Sequence, residues 1–152
     1  MRNSRSIIDG CTTKTGVIPM GKYLEKAKEL RAITDVHYNC AQSVICAFEE
    51  LTGLDDTTSR KIGANFGSGM KRGGTCGAIT GGLMTLGLLG IEDGPTIAAF
   101  HKAFLDHHQN CLDCADLLRM NQASGGEKKP HCDGMVFEAV QLIEDILDKR
   151  NK

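Results

Sequence analysis

The stretch TCGAITGGLMTLGLL, residues 75–89, is apolar and rich in small residues, and it follows a glycine-rich loop over residues 67–74. Because Thr75 is a good N-cap and Leu83 to Leu89 is strongly apolar, the stretch predicts a buried helix that begins near Thr75. Cys76 would lie in its first turn, where unpaired backbone N–H groups and the helix dipole favour a thiolate over a thiol. A thiolate is the form that binds a metal or attacks a disulfide. The alternative is that Cys76 is simply a small buried hydrophobic residue.

The composition fits one domain with a hydrophobic core and argues against nucleic-acid binding. The chain has 152 residues, a net charge of -1, no tryptophan and 5% aromatic residues. It therefore offers neither a basic field nor many rings on which bases could stack. We expect no nucleic-acid partner.

The expected compartment indicates which chemistry the cysteines serve. The N-terminal residues lack the continuous apolar core of a signal peptide, and the longest apolar stretch, near Gly81 to Ile91, is too short and too rich in glycine to span a bilayer. We therefore expect a cytoplasmic protein without membrane insertion. In that reducing compartment seven cysteines favour metal binding or redox chemistry over a disulfide framework, and an odd number cannot all pair within one chain.

Every long periodic segment of the sequence has the period of a helix, so we predict an all-α fold. Residues 1–20 form a polar N-terminal segment that is free to be flexible, and residues 21–152 form a single compact helical domain. Predicted helices run over residues 21–33, 39–51, from 56 or 57, from 75, from 94, from 113 or 114, and 133–150. The intervening residues 121–130 are predicted to be a polar loop.

Glycine spacing predicts how the helix after Cys76 packs. Gly77 and Gly81 lie four residues apart and so form a flat strip on one face, where another backbone can approach closely. This strip and the 41% hydrophobic composition would also permit a homodimer.

Four cysteines share one kind of position, the N-terminal end of a predicted helix. Cys40, Cys76 and Cys132 are each predicted at or just before the N-terminal turn of a helix, and Cys114 opens a fourth helix. Helix N-termini stabilise negative charge by about 0.3–1 kcal/mol each, and thiolates or a thiolate-ligated cluster are negative. Since these residues are far apart along the chain, a shared site would have to be assembled by the tertiary fold.

The order of these elements resembles a known family. Cys40 follows Tyr38-Asn39, a CGAxxG element spans Cys76 to Gly81, Cys114 precedes Ala115-Asp116, and Cys132 precedes a terminal helix. In this order the sequence is similar to the redox-active C-GCAxxG-C-C family, from about residue 24 onward. The resemblance implies a small helical redox protein that is associated with oxidoreductases or transporters. It also implies a site made of Cys40, Cys76, Cys114 and Cys132. A similar domain in split-Soret cytochrome c carries an iron–sulfur centre alongside haem.

The remaining candidates depart from this four-cysteine pattern. Cys46 is interpreted as a packing residue, and Cys11 lies in the N-terminal segment. Cys111 is a spare ligand, a resolving thiol or a core residue, and His131 is the best alternative ligand because it adjoins Cys132. Ala115 follows Cys114, so the CxxCH motif of covalent haem attachment is absent and no covalent haem is expected.

Three functions remain open at this point. The first is an electron-transfer protein in which Cys40, Cys76, Cys114 and Cys132 bind a 2Fe–2S or 4Fe–4S cluster and exchange electrons with a partner oxidoreductase. The second is a metal-free protein in which two of these cysteines act as catalytic redox thiols. The third is a binding module in which the four cysteines hold a structural zinc ion.

Overall fold

The structure is a computed structural model, and it describes residues 21–151. Within this range it contains eight α-helices and one wide turn, over Gly69–Gly73, and no β-strand. The helices are α1 (Lys22–Ala32), α2 (Cys40–Ala47), α3 (Glu49–Thr52), α4 (Asp56–Gly63), α5 (Gly77–Leu88), α6 (Gly94–His107), α7 (Cys114–Ala123) and α8 (Lys128–Arg150). The predicted all-α fold is confirmed. The polar segment predicted over residues 1–20, with Cys11, lies outside the described residues.

Helix α2 is the centre of the molecule. All of its residues from Ala41 to Ala47 are buried, and it packs against α1, α5 and α8. Its start is fixed by a capping box, in which the Asn39 side chain accepts a hydrogen bond from the Gln42 N–H and the Gln42 side chain accepts one from the Asn39 N–H. This box satisfies two N–H groups that the helix itself leaves unpaired.

The contact between α2 and α5 depends on glycine. A Cβ atom on Gly81 would lie 2.7 Å from the carbonyl oxygen of Ala41 and 2.8 Å from its Cα. A Cβ on Gly77 would lie 2.7 Å from the carbonyl oxygen of Phe66 and 3.2 Å from the Cβ of Cys40. The predicted close approach of a backbone to this strip is therefore confirmed. The neighbour belongs to the same chain, so the strip is covered and is not a surface for a homodimer.

A buried carboxylate on α8 caps the start of α1. Glu144 has no exposed surface, and its oxygens accept hydrogen bonds from the backbone N–H groups of Gly21, Tyr23 and Leu24 at 3.1, 2.7 and 3.2 Å. A negative group at a helix N-terminus is stabilised by the helix dipole as well as by these bonds. The Glu144 carboxylate therefore links α8 to the N-terminal end of α1.

Four helix boundaries differ from the sequence prediction. The N-cap of α5 is Cys76 rather than Thr75, because Thr75 forms an isolated antiparallel bridge with Asp113. The predicted helix over residues 39–51 is broken at Phe48, between α2 and α3. Helix α8 begins at Lys128 instead of near 133. Pro130 lies in its first turn, where backbone N–H groups have no hydrogen-bond partner within the helix, so a proline is tolerated there. Helix α7 also continues to Ala123, past its predicted end at residue 120. Residues 121–123 and 128–130 were therefore wrongly predicted as loop.

No helix within residues 21–151 is long and apolar enough to cross a membrane.

Candidate functional site

One cavity collects the four cysteines that the sequence singled out. It has a volume of about 130 Å³ and is lined by Cys40, Cys76, Cys114 and Cys132, together with His131 and nine other residues. The four cysteines come from the N-terminal parts of α2, α5, α7 and α8. The tertiary fold therefore brings them to one place, although 92 positions separate the first from the last (132 minus 40).

Cys40 and Cys76 are held together by the glycine contact between α2 and α5. Cys40 is the first residue of α2, and Cys76 is the N-cap of α5. Because Gly77 has no side chain, the backbone at the start of α5 can approach the Cβ of Cys40. The two thiols consequently face the same cavity.

A short backbone bridge places Cys114 beside Cys76. The N–H of Cys76 donates to the carbonyl oxygen of Leu112 at 2.8 Å, and the N–H of Cys114 donates to the carbonyl oxygen of Gly74 at 2.6 Å. These bonds flank the bridge between Thr75 and Asp113. The loop before α5 and the loop before α7 thus run side by side, each ending in a cysteine.

Cys132 lies one helical turn inside α8, next to Cys40 and close to Arg31. The Arg31 side chain is fixed by its Nε, which lies 2.7 Å from the Asp133 carboxylate, and by a bond to the carbonyl oxygen of Tyr38 at 2.9 Å. Lys128 also lines the cavity. Neither Arg31 nor Lys128 could be assigned to the site from the sequence, because the assignment requires the relative placement of α1 and α8.

Two opposing effects act on the Cys76 thiol. The backbone N–H groups of Ala78 and Ile79 donate to its sulfur and lower its pKa, as expected at a helix N-terminus. Burial raises the pKa more strongly, to about 11. Burial therefore outweighs the helix end at Cys76 and opposes the predicted preference for a thiolate. The two N–H donors, Ala78 and Ile79, belong to α5 itself and not to the glycine-rich loop that precedes it.

Cys40 and Cys132 are neighbours in the cavity, and their pKa values are shifted in opposite directions. A hydrogen bond from the Cys40 thiol stabilises the Cys132 thiolate and holds the pKa of Cys132 below its ordinary value, with further help from the positive charges of Arg31 and Lys128. The same bond and burial raise the pKa of Cys40. Burial and the neighbouring Cys132 raise the pKa of Cys114. Cys132 is therefore the member of the set that ionises most readily.

The weaker candidates divide into two groups. His131 lines the cavity, and burial together with the nearby His108 lowers its pKa, so its imidazole is neutral and has a lone pair to offer at pH 7. Cys111 does not line the cavity, and its thiol faces the carbonyl oxygen of Gln109 at 3.6 Å. Cys11 lies outside the described residues.

Cys46 belongs to a different environment from the four cavity cysteines. It is 1% exposed, and its sulfur lies within 4.8 Å of carboxylate oxygens of Glu49 and Asp56. Burial and these two carboxylates raise the pKa of the Cys46 thiol, so it remains protonated and neutral. Its interpretation as a packing residue stays a prediction.

The four cavity sulfurs are spread over more space than one metal ion would need. Within residues 21–151, the group formed by Cys46, Glu49 and Asp56 is the only one in which three candidate ligand atoms lie within 4.8 Å of one another. No three of the cavity sulfurs are therefore that close. A tetrahedral zinc site with Zn–S bonds of about 2.3 Å needs sulfurs about 3.8 Å apart.

Comparison with known proteins adds a family to this geometry. The family described as "Putative redox-active protein (C_GCAxxG_C_C)" matches residues 38–146, which is most of the chain. The chain belongs to this family. The matched range contains all four cavity cysteines of this C_GCAxxG_C_C protein, although the order Cys76-Gly77 reverses the Gly-Cys order of the family's name. No curated protein and no solved structure was found that matches the chain.

Proposed function

We propose that this protein transfers electrons through an iron–sulfur cluster bound by Cys40, Cys76, Cys114 and Cys132. The observation that carries the proposal is that these cysteines, each near a helix N-terminus, line one cavity. Helix N-termini and backbone N–H groups stabilise the negative charge that such a cluster and its thiolates carry. Membership of a redox-active family supports the same chemistry.

The size and chemistry of the cavity fit a compact inorganic group. Four thiols are the usual ligand set of 2Fe–2S and 4Fe–4S clusters. The volume of about 130 Å³ is near the roughly 150 Å³ of an engineered cavity that holds benzene. A single ion would leave much of this space unfilled. Together with the spread of the sulfurs, this favours a cluster of several atoms over a structural zinc ion held by the same four cysteines.

The surrounding residues have defined roles in such a site. When bound, the cluster would supply a centre that accepts and donates single electrons. Leu117 and Met135, which are 1% and 2% exposed, form an apolar part of the cavity wall. The N–H groups of Ala78 and Ile79 stabilise charge on the Cys76 sulfur, and Arg31 does so beside Cys132. Hydrogen bonds and charges near the sulfurs are what tune a cluster's reduction potential.

The experiment is anaerobic purification followed by iron, sulfide and zinc analysis and an absorption spectrum before and after dithionite. Stoichiometric iron and sulfide with a visible band that dithionite bleaches is the expected result. Cys76→Ser should lose this iron, because a hydroxyl that stays protonated is a poor ligand. Cys46→Ser is the matched control, since it also removes one buried sulfur, and it should retain the iron. Equal losses in both variants, or zinc without iron, would contradict the proposal.

A metal-free dithiol is the second candidate, and the placement of Cys132 beside Cys40 in one cavity favours it, because the neighbouring thiol lowers the pKa of Cys132. A thiolate that is stabilised by a neighbouring thiol is an effective nucleophile toward a disulfide. In this reaction the two thiols would form one disulfide, and the two electrons and two protons would reduce the disulfide of a partner protein. Mass analysis of alkylated peptides would then show a Cys40–Cys132 disulfide after oxidation and no iron before it.

In either case the partner that we propose is an oxidoreductase, and the location that we propose is the cytoplasm. A reducing compartment would keep the cavity thiols free, and within residues 21–151 every cysteine is a free thiol.

A further inference from the structure

Cys132 is the cavity cysteine that faces a second, outer space. Besides the inner cavity it lines a groove of about 380 Å³, which the other three cavity cysteines do not touch. This outer groove also contains Arg31, His37, Lys128 and Lys129, with Leu30 and Ile33 as its apolar part. Cys132 is therefore the cavity cysteine that a partner can approach from the outer groove.

The outer groove is positively charged, in contrast to a chain whose net charge is -1. None of the residues that line it is acidic. The Asp133 carboxylate pairs with Arg31 at 2.7 Å and with Lys129 at 2.8 Å. Asp133 thus pairs with two of the three cationic side chains, and Lys128 makes no ion pair with any residue between 21 and 151.

The position of these lysines is unfavourable for the helix that carries them. Lys128 and Lys129 are the first two residues of α8, and the N-terminal end of a helix is already positive. Acidic residues are preferred there, so the two lysines lower the stability of the helix. Residues that break a local rule in this way are typical of functional sites, where an external charge compensates them.

We infer that the outer groove docks an acidic surface of the protein that exchanges electrons at Cys132. This inference rests on the proposed redox function and names the chemistry of its partner. Electron-transfer complexes are small and depend on complementary charge for fast association. A groove with cationic walls, an apolar patch at Ile33, which is 39% exposed, and a site residue at its base has these properties.

The test uses fluorescently labelled poly-L-glutamate as a defined acidic macromolecule, with binding measured by anisotropy at low and high salt. Lys128→Glu should weaken binding about tenfold at low salt, as expected when a steering charge is reversed. The substitution should not unfold α8, because glutamate is favourable in a first helical turn. Lys102→Glu is the control. Its side chain is 72% exposed on α6 and lines neither space, and the variant should bind like the parent protein.

A second measurement locates the bound polymer. Poly-L-glutamate should slow the oxidation of the reduced protein by ferricyanide, which is itself an anion. If the purified protein contains no iron, alkylation of Cys132 by the neutral reagent iodoacetamide replaces this reaction. The binding measurement does not need a cluster, so a failure of the proposed cluster can be told from a failure of the docking surface.

Three results would overturn the inference. The first is equal binding by the Lys128→Glu and Lys102→Glu variants. The second is full displacement of the polymer by monomeric glutamate at the same carboxylate concentration, which would identify a small-anion site instead. The third is binding that leaves the reactivity at Cys132 unchanged, because the polymer would then occupy another surface.

Discussion

Replacing Gly81 with alanine tests whether the contact between α2 and α5 holds the site together. The new Cβ would lie 2.7 Å from the carbonyl oxygen of Ala41 and 2.8 Å from its Cα. Atoms of this kind pack at about 3.5–4.0 Å, so the two helices would have to separate by about 1 Å. Overpacking of this type costs about 1–3 kcal/mol. The obstacle is backbone, which cannot rotate away as a flexible side chain can.

Gly87→Ala is a matched control on the same helix. Nothing lies within 4 Å of a Cβ at Gly87, so this substitution brings the higher helix propensity of alanine, about 0.8–1.0 kcal/mol, without a clash. Gly81→Ala receives a similar propensity gain. The difference in unfolding free energy between the two variants therefore isolates the steric cost.

The assay is thermal unfolding followed by circular dichroism. For a chain of this size 1 kcal/mol corresponds to about 2–4 °C, so the Gly81→Ala protein should melt roughly 2–12 °C below the Gly87→Ala protein. If the two variants had equal melting temperatures, the packing of α5 on the backbone of α2 would be refuted. The arrangement that brings Cys40 toward Cys76 would then lose its support.

Two further predictions concern buried groups. Glu144→Gln should lower the free energy of unfolding by about 1–3 kcal/mol in urea titrations. The amide offers one oxygen to three backbone N–H donors and places its own N–H groups among them. Glu92→Gln, at an exposed position, is the control and should have little effect. In the metal-free reduced protein, ultraviolet absorbance should show that Cys132 forms its thiolate first as the pH rises, below the ordinary pKa of 9.0, and Cys40→Ala should move this step to higher pH.

Local signals in the sequence were sufficient for most of the helix boundaries. Asn39 and Asp93 cap the starts of α2 and α6, and Gly53 with its φ of 79° ends α3; signals of this kind act within a few positions of the helix end. The start of α8 was missed because Pro130 in that position is compatible both with a loop and with a first helical turn. Only the packing of α8 against α1 selects the helix.

The candidate site shows the limit of the same reasoning. Sequence order and the resemblance selected Cys40, Cys76, Cys114 and Cys132, and all four line one cavity in the structure. The charged residues around them were not predictable in this way. Arg31 reaches the site through bonds to Tyr38 and Asp133, and Asp133 is 102 positions away in the sequence. Nothing in the local pattern near Arg31 distinguishes it from a solvated helix-end residue.

Cys76 shows which effect on the pKa is larger at this helix end. A helix N-terminus contributes about 0.3–1 kcal/mol to a negative group, whereas each unit of pKa corresponds to about 1.36 kcal/mol. Burial moves the Cys76 pKa to about 11 despite the two N–H donors, so the helix end alone does not ionise a buried thiol. A cationic centre is needed to keep such a thiol deprotonated at neutral pH. On the proposed function, the helix N-termini therefore act mainly on the bound state, where they stabilise charge that the metal has already produced.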